Sequence, residues 1–368
     1  MHILLIKTFP LSLDDWERVG IIDRELELFK NISKTDNYSF SIGSFGDEGD
    51  LKYAEKIKPI KIIPFFKKNY FKNSFLFKFI YSFFLPIIFK ENFKTFRIIQ
   101  SNQFWGSWIL ILCKLIFRKK IILRQGFDFF DFFIKKKSNI IFILILKLYT
   151  KFIYYYSDFI IVTTKNAFFN IHKNFNINKN KIIIIPNFID RKKFYPIETI
   201  EKSNKILCVG RLSKQKNYEL LFEALKDSNY EVDIIGHGNY KIYESIISKN
   251  KINVNFLGNV PNSDLPKIYN SYKTFILCSL YEGHPKSLLE AMSCGINCIG
   301  TNVQGISELY DNNNFELVDL NSKSLRSKID YLMLRDSNIN FYAAEYINNN
   351  FSIPHIKKKY LNLYKKIL

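Results

Sequence analysis

Residues 274–292 read Thr-Phe-Ile-Leu-Cys-Ser-Leu-Tyr-Glu-Gly-His-Pro-Lys-Ser-Leu-Leu-Glu-Ala-Met. A short apolar run ends at Cys278, a polar loop follows, and apolar residues resume at helical spacing after Pro285. That is a buried strand feeding a helix. Pro285 suits the first helical turn, which places the amides of Gly283, His284 and their neighbours at the positive end of the helix dipole. Such an end is a ready anion site. Glu290 lies five residues beyond Pro285, about 7.5 Å along the axis at the standard rise. That roughly matches the reach from a diphosphate to its ribose, whose hydroxyls a carboxylate accepts from. Glu282, before the helix, sits where a hexose beyond the diphosphate would present its own hydroxyls. Taken alone, these residues also fit an ordinary helix with surface glutamates.

Working outward, the same alternation continues on both sides. Strands are expected at 205–209, 232–235, 254–257, 274–278, 297–300 and 316–318, with helices at 218–225, 241–248, 264–272, 285–293 and 324–334. This is a doubly wound α/β lobe, whose ligands bind beyond the carboxyl ends of the strands. Two further loops at those ends are informative. After 205–209 comes Gly210-Arg211-Leu212-Ser213-Lys214-Gln215-Lys216, and after 232–235 comes Gly236-His237-Gly238. The glycines allow close approach, and Arg211 and Lys216 offer charge to phosphate oxygens. Each loop alone is equally an ordinary glycine turn with solvated lysines.

The N-terminal half has apolar runs at 2–6, 60–63, 96–99, 120–123, 158–163 and 182–185, with helical spacing at 20–29, and implies a second parallel sheet flanked by helices. Residues 186–190 break the pattern and a polar stretch runs to 204. The 368 residues therefore divide into an N-terminal domain (1–186), a linker (187–204), a C-terminal domain (205–350) and a terminal helix (351–368). With 47% hydrophobic residues the chain is no disordered or low-complexity protein. Five cysteines without a C-x-x-C pair support neither a disulfide framework nor a zinc ribbon, and fit a reducing cytoplasm. The start lacks the pattern of a signal peptide. The longest uncharged stretch, 98–113, falls short of the roughly 20 apolar residues that span a bilayer.

The formal charge is +20, and its distribution says more than its sum. Residues 51–181 hold 25 Lys and Arg against five Asp and Glu, the whole of the excess, together with 24 of the 36 phenylalanines. Cations interleaved with aromatics suit a surface lying on anionic lipid headgroups, with Phe71, Phe75, Phe79 and Phe83 recurring every four residues as its face. Single-stranded nucleic acid uses similar chemistry, and AT-rich codon usage inflates Phe and Lys without any partner.

Glu282 and Glu290 form E-x7-E. With Pro186-Asn187, Val209-Gly210-Arg211-Leu212, Lys216 and Gly300-Thr301-Asn302-Val303-Gln304-Gly305-Ile306-Ser307-Glu308, the chain resembles the family 4 glycosyltransferases of the GT-B fold, densely over 186–310. The resemblance implies two Rossmann-like domains facing across a cleft, an N-terminal one for the acceptor and a C-terminal one for a nucleotide-diphosphate sugar, UDP- or GDP-linked. The last helix would cross back onto the N-terminal domain. It implies transfer with retention at the anomeric carbon. Arg211 and Lys216 would stabilise the departing diphosphate, Glu282 would contact the donor sugar, and Gly283, His284, Lys286 and Ser287 would line the sugar and phosphate. Glu290 would hold the ribose, Gly210, Gly236 and Gly238 would let the backbone approach, and Val260 would border the base. No D-x-D is present, so no cofactor or metal is expected.

The N-terminal domain departs from the family pattern. The glycine pair after the first strand is replaced by a loop with Asp14-Asp15-Trp16-Glu17-Arg18, and the family's His-Gly-x-Asp reads Gln125-Gly126-Phe127-Asp128, preceded by Arg124. These four residues, Arg124, Gln125, Gly126 and Asp128, are the expected acceptor side. A retaining transfer in which the departing phosphate takes the acceptor proton needs no protein base. The expected function is sugar transfer to a lipid-linked or cell-surface glycan, of O-antigen, capsule or exopolysaccharide type, by a protein peripheral on the inner face of the cytoplasmic membrane. A GT-B enzyme with a soluble acceptor, a noncatalytic partner subunit and a nucleic-acid binding module are the alternatives; nucleic acid is not an expected partner, because it leaves the motifs of 205–310 unexplained.

Overall fold

A computed structural model describes residues 1–67, 74–135, 138–334 and 339–367. The chain forms two compact units, Met1–Ile185 with Lys357–Leu368, and Pro186–Ile356.

In the first unit seven strands, β1 (His2–Ile6), β2 (Ser39–Ser44), β3 (Lys61–Pro64), β4 (Ile98–Ser101), β5 (Lys120–Arg124), β6 (Phe159–Val162) and β7 (Ile182–Ile184), form one sheet in the order β3-β2-β1-β4-β5-β6-β7. Every pair is parallel. Central strands such as Ile3-Leu4-Leu5-Ile6 are buried on both faces, which is why they read as unbroken apolar runs. β2 is not legible this way. Its sequence Ser-Phe-Ser-Ile-Gly-Ser is half small and polar, yet five of its six residues are buried. Gly43 is dictated by its neighbour, because a Cβ there would lie 2.3 Å from the Phe65 ring. The strand expected at 96–99 is shifted to Ile98–Ser101; Phe96 packs on the His2 ring instead, 4.5 Å between centroids. The helix expected at 20–29 runs over Ile22–Thr35.

Helix Phe75–Ile88 keeps the expected aromatic face in part, with Phe75 and Phe83 57% and 40% exposed. Phe79 turns inward onto Phe9 and Trp108 (6.1 and 5.3 Å), and Phe83 stacks on Trp108 at 5.8 Å. Its exposed side also carries Leu76, Ile80, Phe84 and Ile87. Phe71 lies outside the described residues.

In the second unit β8 (Ser203–Val209), β9 (Glu231–Ile235), β10 (Asn253–Gly258), β11 (Tyr272–Leu277), β12 (Asn297–Thr301) and β13 (Glu316–Val318) form a parallel sheet ordered β10-β9-β8-β11-β12-β13. Its two faces carry separate apolar cores, one centred on Leu207, Phe275, Leu288 and Ile306, the other on Ile206, Leu221, Ile276 and Leu325. The five cysteines are free and buried as apolar fillers. Residues 187–204, read from sequence as a linker, pack onto this unit. Phe194 is buried in its core, and the Arg191 guanidinium donates to Ser293 Oγ at 2.9 Å.

Candidate active site

Strand order in the second unit reverses between β8 and β11, so the loops leaving those strands diverge and open a crevice at their carboxyl ends. They are residues 210–216 and 279–285, and they are tied together. The Leu280 amide donates to the Gln215 carbonyl at 2.8 Å, and the Gln215 side chain donates to the Tyr281 carbonyl at 2.9 Å. The Lys216 ammonium donates to Glu282 Oε1 at 2.7 Å, and the Ser279 hydroxyl donates to the same oxygen at 2.7 Å. With side chains only 14% and 10% exposed, this ion pair is withdrawn from bulk solvent. The residues expected to hold the diphosphate and the sugar are thus partners of each other.

The β12 loop supports the pair from behind. Gly305 has φ +87°, and a Cβ on it would lie 2.1 Å from the Gly283 carbonyl oxygen and 2.4 Å from that of Glu282, so only glycine lets the two loops close up. The Glu282 amide donates to the Gln304 carbonyl at 3.3 Å. From the 187–204 segment, the Asn187 side chain donates to the His284 carbonyl at 2.8 Å. The β9 loop backs the β8 loop in the same way. Gly236, at φ +151°, would place a Cβ 2.0 Å from the Gly210 oxygen, and the Leu212 amide donates to the His237 carbonyl at 2.9 Å. Gly238 packs on Leu212. Arg211 is exposed, whereas Val260 is half-buried against the core of its sheet face.

Helix Lys286–Ser293 begins one residue later than expected. Pro285 is its N-cap with an extended ψ of 109°, and no side chain caps the first turn, so the positive end of the dipole faces the 282–285 loop. Lys286 Nζ lies 5.7 Å over the Phe188 ring, and Ser287 is half-buried. His284 is 7% exposed, with its ring 5.1 Å from that of Phe351. Glu290 is 2% exposed and accepts from the Tyr269 hydroxyl at 3.1 Å. Burial and the neighbouring carboxylate push the Tyr269 phenol well above its ordinary pKa, so it remains a donor. Ser279, Gln215 and Tyr269 were not singled out in the sequence; Gln215 and Tyr269 meet their partners only through the fold, 66 and 21 residues away, while Ser279 bonds locally to Glu282.

In the first unit the expected acceptor-side residues have internal partners. Arg124 is buried and its guanidinium donates to the Asn102 carbonyl at 2.9 Å. Gln125 is 1% exposed, its Oε1 accepting from Tyr154 at 3.1 Å. The Gly126 amide donates to Gln103 Oε1 at 3.0 Å, and Asp128 Oδ1 accepts the Asp131 amide at 3.0 Å, capping helix Phe129–Lys135. The loop after β1 is held by internal contacts as well. The Lys7 ammonium at the end of β1 sits 3.7 Å over the Trp16 ring and donates to the Ser12 carbonyl.

Two parallel, doubly wound sheets and this switch-point site define the GT-B fold. A solved structure of Anabaena Alr3699/HepE in complex with UDP and glucose superposes with a TM-score of 0.78 at 14% identity, covering 100% of both chains. Residues 190–349, less than half of the chain, match the family model described as glycosyl transferases group 1. The O-antigen biosynthesis glycosyltransferase WbnH of Escherichia coli is 29% identical over 306 residues, 82% of each chain. The N,N'-diacetylbacillosaminyl-diphospho-undecaprenol alpha-1,3-N-acetylgalactosaminyltransferase of Campylobacter jejuni is 28% identical over 257 residues, 63% of this chain and 66% of that one. Together these findings support a glycosyltransferase.

Proposed function

We propose that the chain is a retaining, metal-independent glycosyltransferase of family 4. It moves a sugar from a UDP- or GDP-linked donor to a lipid-linked or cell-surface glycan, of O-antigen, capsule or exopolysaccharide type, at the cytoplasmic membrane face. The observation that carries this is the Lys216–Glu282–Ser279 cluster beside the start of helix Lys286–Ser293. The donor diphosphate lies at the helix start, between the dipole and the charges of Arg211 and Lys216, and Glu282 receives hydroxyls of the sugar. Glu290 takes the ribose, exchanging part of its bond with Tyr269.

In the transfer, the bond from the anomeric carbon to the diphosphate oxygen breaks with its electron pair leaving on that oxygen. The acceptor oxygen bonds to the same face of the carbon, and its proton passes to the departing phosphate. Arg211 and Lys216 stabilise the charge that develops, a contribution worth several kcal/mol in such sites. The 124–128 loop serves the acceptor. The membrane setting is supported by the cationic, Phe-rich region 51–181 and by relatives whose names specify O-antigen or undecaprenol-linked products.

A thermal-shift panel of UDP-, GDP-, ADP- and CMP-sugars tests the donor class, since a ligand of the folded state raises the melting temperature. A rise with one nucleoside-diphosphate sugar is expected, and no rise with any of them counts against the proposal. The initial transfer rate should be unchanged by EDTA; loss restored by Mn or Mg would refute metal independence.

A further inference from the structure

We propose that the outward faces of helices Phe75–Ile88 and Ile140–Tyr156 form a docking surface for an anionic lipid bilayer, on which the first unit lies. Both helices flank helix Trp108–Phe117. The first is anchored to it through Trp108, whose indole donates to Ser82 Oγ at 2.8 Å, and the second through Tyr149, 3.2 Å from Ser107 Oγ. These anchors fix which side of each helix looks away from the protein.

On the first helix Leu76, Ile80, Phe84 and Ile87 fall within about 80° of one another at 100° per residue, and Leu76 and Ile87 are 65% and 60% exposed. On the second, Ile141, Ile145, Leu148 and Phe152 form a still narrower stripe, with Ile145 and Leu148 62% and 71% exposed. Scattered exposed leucines are ordinary on a protein surface, whereas aligned stripes on neighbouring helices mark an interaction site.

Charge selects the occupant. Every charged residue of these two helices is a lysine: Lys78 on the first, and Lys147 and Lys151, both exposed, on the second. A second copy of the chain would set these lysines against their own counterparts with no acid on the helices to offset them. Anionic headgroups complement them, the methylene stems reaching past the apolar stripe to the phosphate level. Among the described residues no helix is long and apolar enough to cross a membrane, so the helices lie in the interface. The surface gives the membrane-face reading above a physical seat and rests on that reading for its purpose.

The test is flotation of the full chain with vesicles of phosphatidylglycerol and phosphatidylcholine, against phosphatidylcholine alone, at low and high salt. Parallel arms use Ile145→Glu with Leu148→Glu, and the milder reversal Lys147→Glu with Lys151→Glu at exposed polar positions. Each arm also measures the nucleotide-dependent thermal shift, which reports on the second unit, and oligomeric state. The wild type should float with anionic vesicles and lose at least about tenfold in the floated fraction at high salt. Both variants should remain in the soluble fraction while keeping the wild-type nucleotide response. A wild type that stays soluble with anionic vesicles, variants that float like it, or a wild-type dimer made monomeric by the substitutions would each overturn the surface. Flotation without any nucleotide response would sink the donor reading and leave the surface standing.

Discussion

Ser279 contributes one hydroxyl, fully buried, to the Glu282 carboxylate that also takes Lys216. It is a positioning residue, so Ser279→Ala should lower kcat by about tenfold, the worth of one charge-assisted hydrogen bond, with the Kd for free nucleotide unchanged. Steady-state kinetics beside calorimetry checks this; an unaltered kcat would deny the cluster a role. Lys7 is the other residue with a sharp consequence. Burial pushes its ammonium from the ordinary 10.5 down to about 7, against the opposing pull of Asp50, Asp15 and Glu25. Between those values the folded chain holds fewer protons than the unfolded one, so stability from this site rises with pH, by up to about 1.4 kcal/mol per unit. Below pH 7 the burial cost is present in full. Denaturant titrations from pH 6.5 to 9.5 should show that slope in the wild type and a flatter one in Lys7→Met, whereas equal slopes would mean Lys7 keeps its ordinary pKa.

Among the elements, those legible in the sequence are the ones whose burial is two-sided. β1, β8 and β11 read as apolar runs because helices cover both faces of a parallel sheet. β2 was hidden because Gly43, Ser41 and Ser44 occupy buried positions where neighbours such as Phe65 supply the apolar volume. The loops at the strand ends show the same division. Glu282 and Lys216 were recognisable by type and motif, but their pairing spans 66 residues of chain, and no local spacing reports it. Tyr269, 21 residues before Glu290, was hidden for the same reason. The most sensitive joint between elements is Gly305. A methyl group there collides with the backbone of Glu282 and Gly283 in a conformation that already disfavours any side chain. Gly305→Ala should therefore displace the Glu282 loop and reduce kcat/KM about a hundredfold or more at a modest loss of stability, roughly 1–3 kcal/mol. Turnover together with thermal melting checks this, and wild-type turnover in a folded variant would show that the loop tolerates the shift.

For the whole molecule, the charge excess is confined to residues 51–181, within the first unit, while the Lys216–Glu282–Ser279 cluster is in the second. Membrane docking and donor binding should accordingly respond differently to salt, the first strongly and the second weakly, because the Lys216–Glu282 pair is largely withdrawn from solvent. A soluble-acceptor transferase would have no use for the exposed apolar stripes, and a nucleic-acid binding module would have none for the switch-point cluster. The claim on which the rest depends is that a nucleoside diphosphate binds the second unit at Lys216 and Glu290. Calorimetric titration of the full chain with UDP and GDP, in wild type, Lys216→Ala and Glu290→Gln, tests it most directly. Saturable binding of one nucleotide by the wild type, weakened about tenfold or more in each variant, roughly 1.4 kcal/mol, is the predicted result. Absence of binding to both nucleotides, or affinities in both variants equal to the wild type, would contradict it.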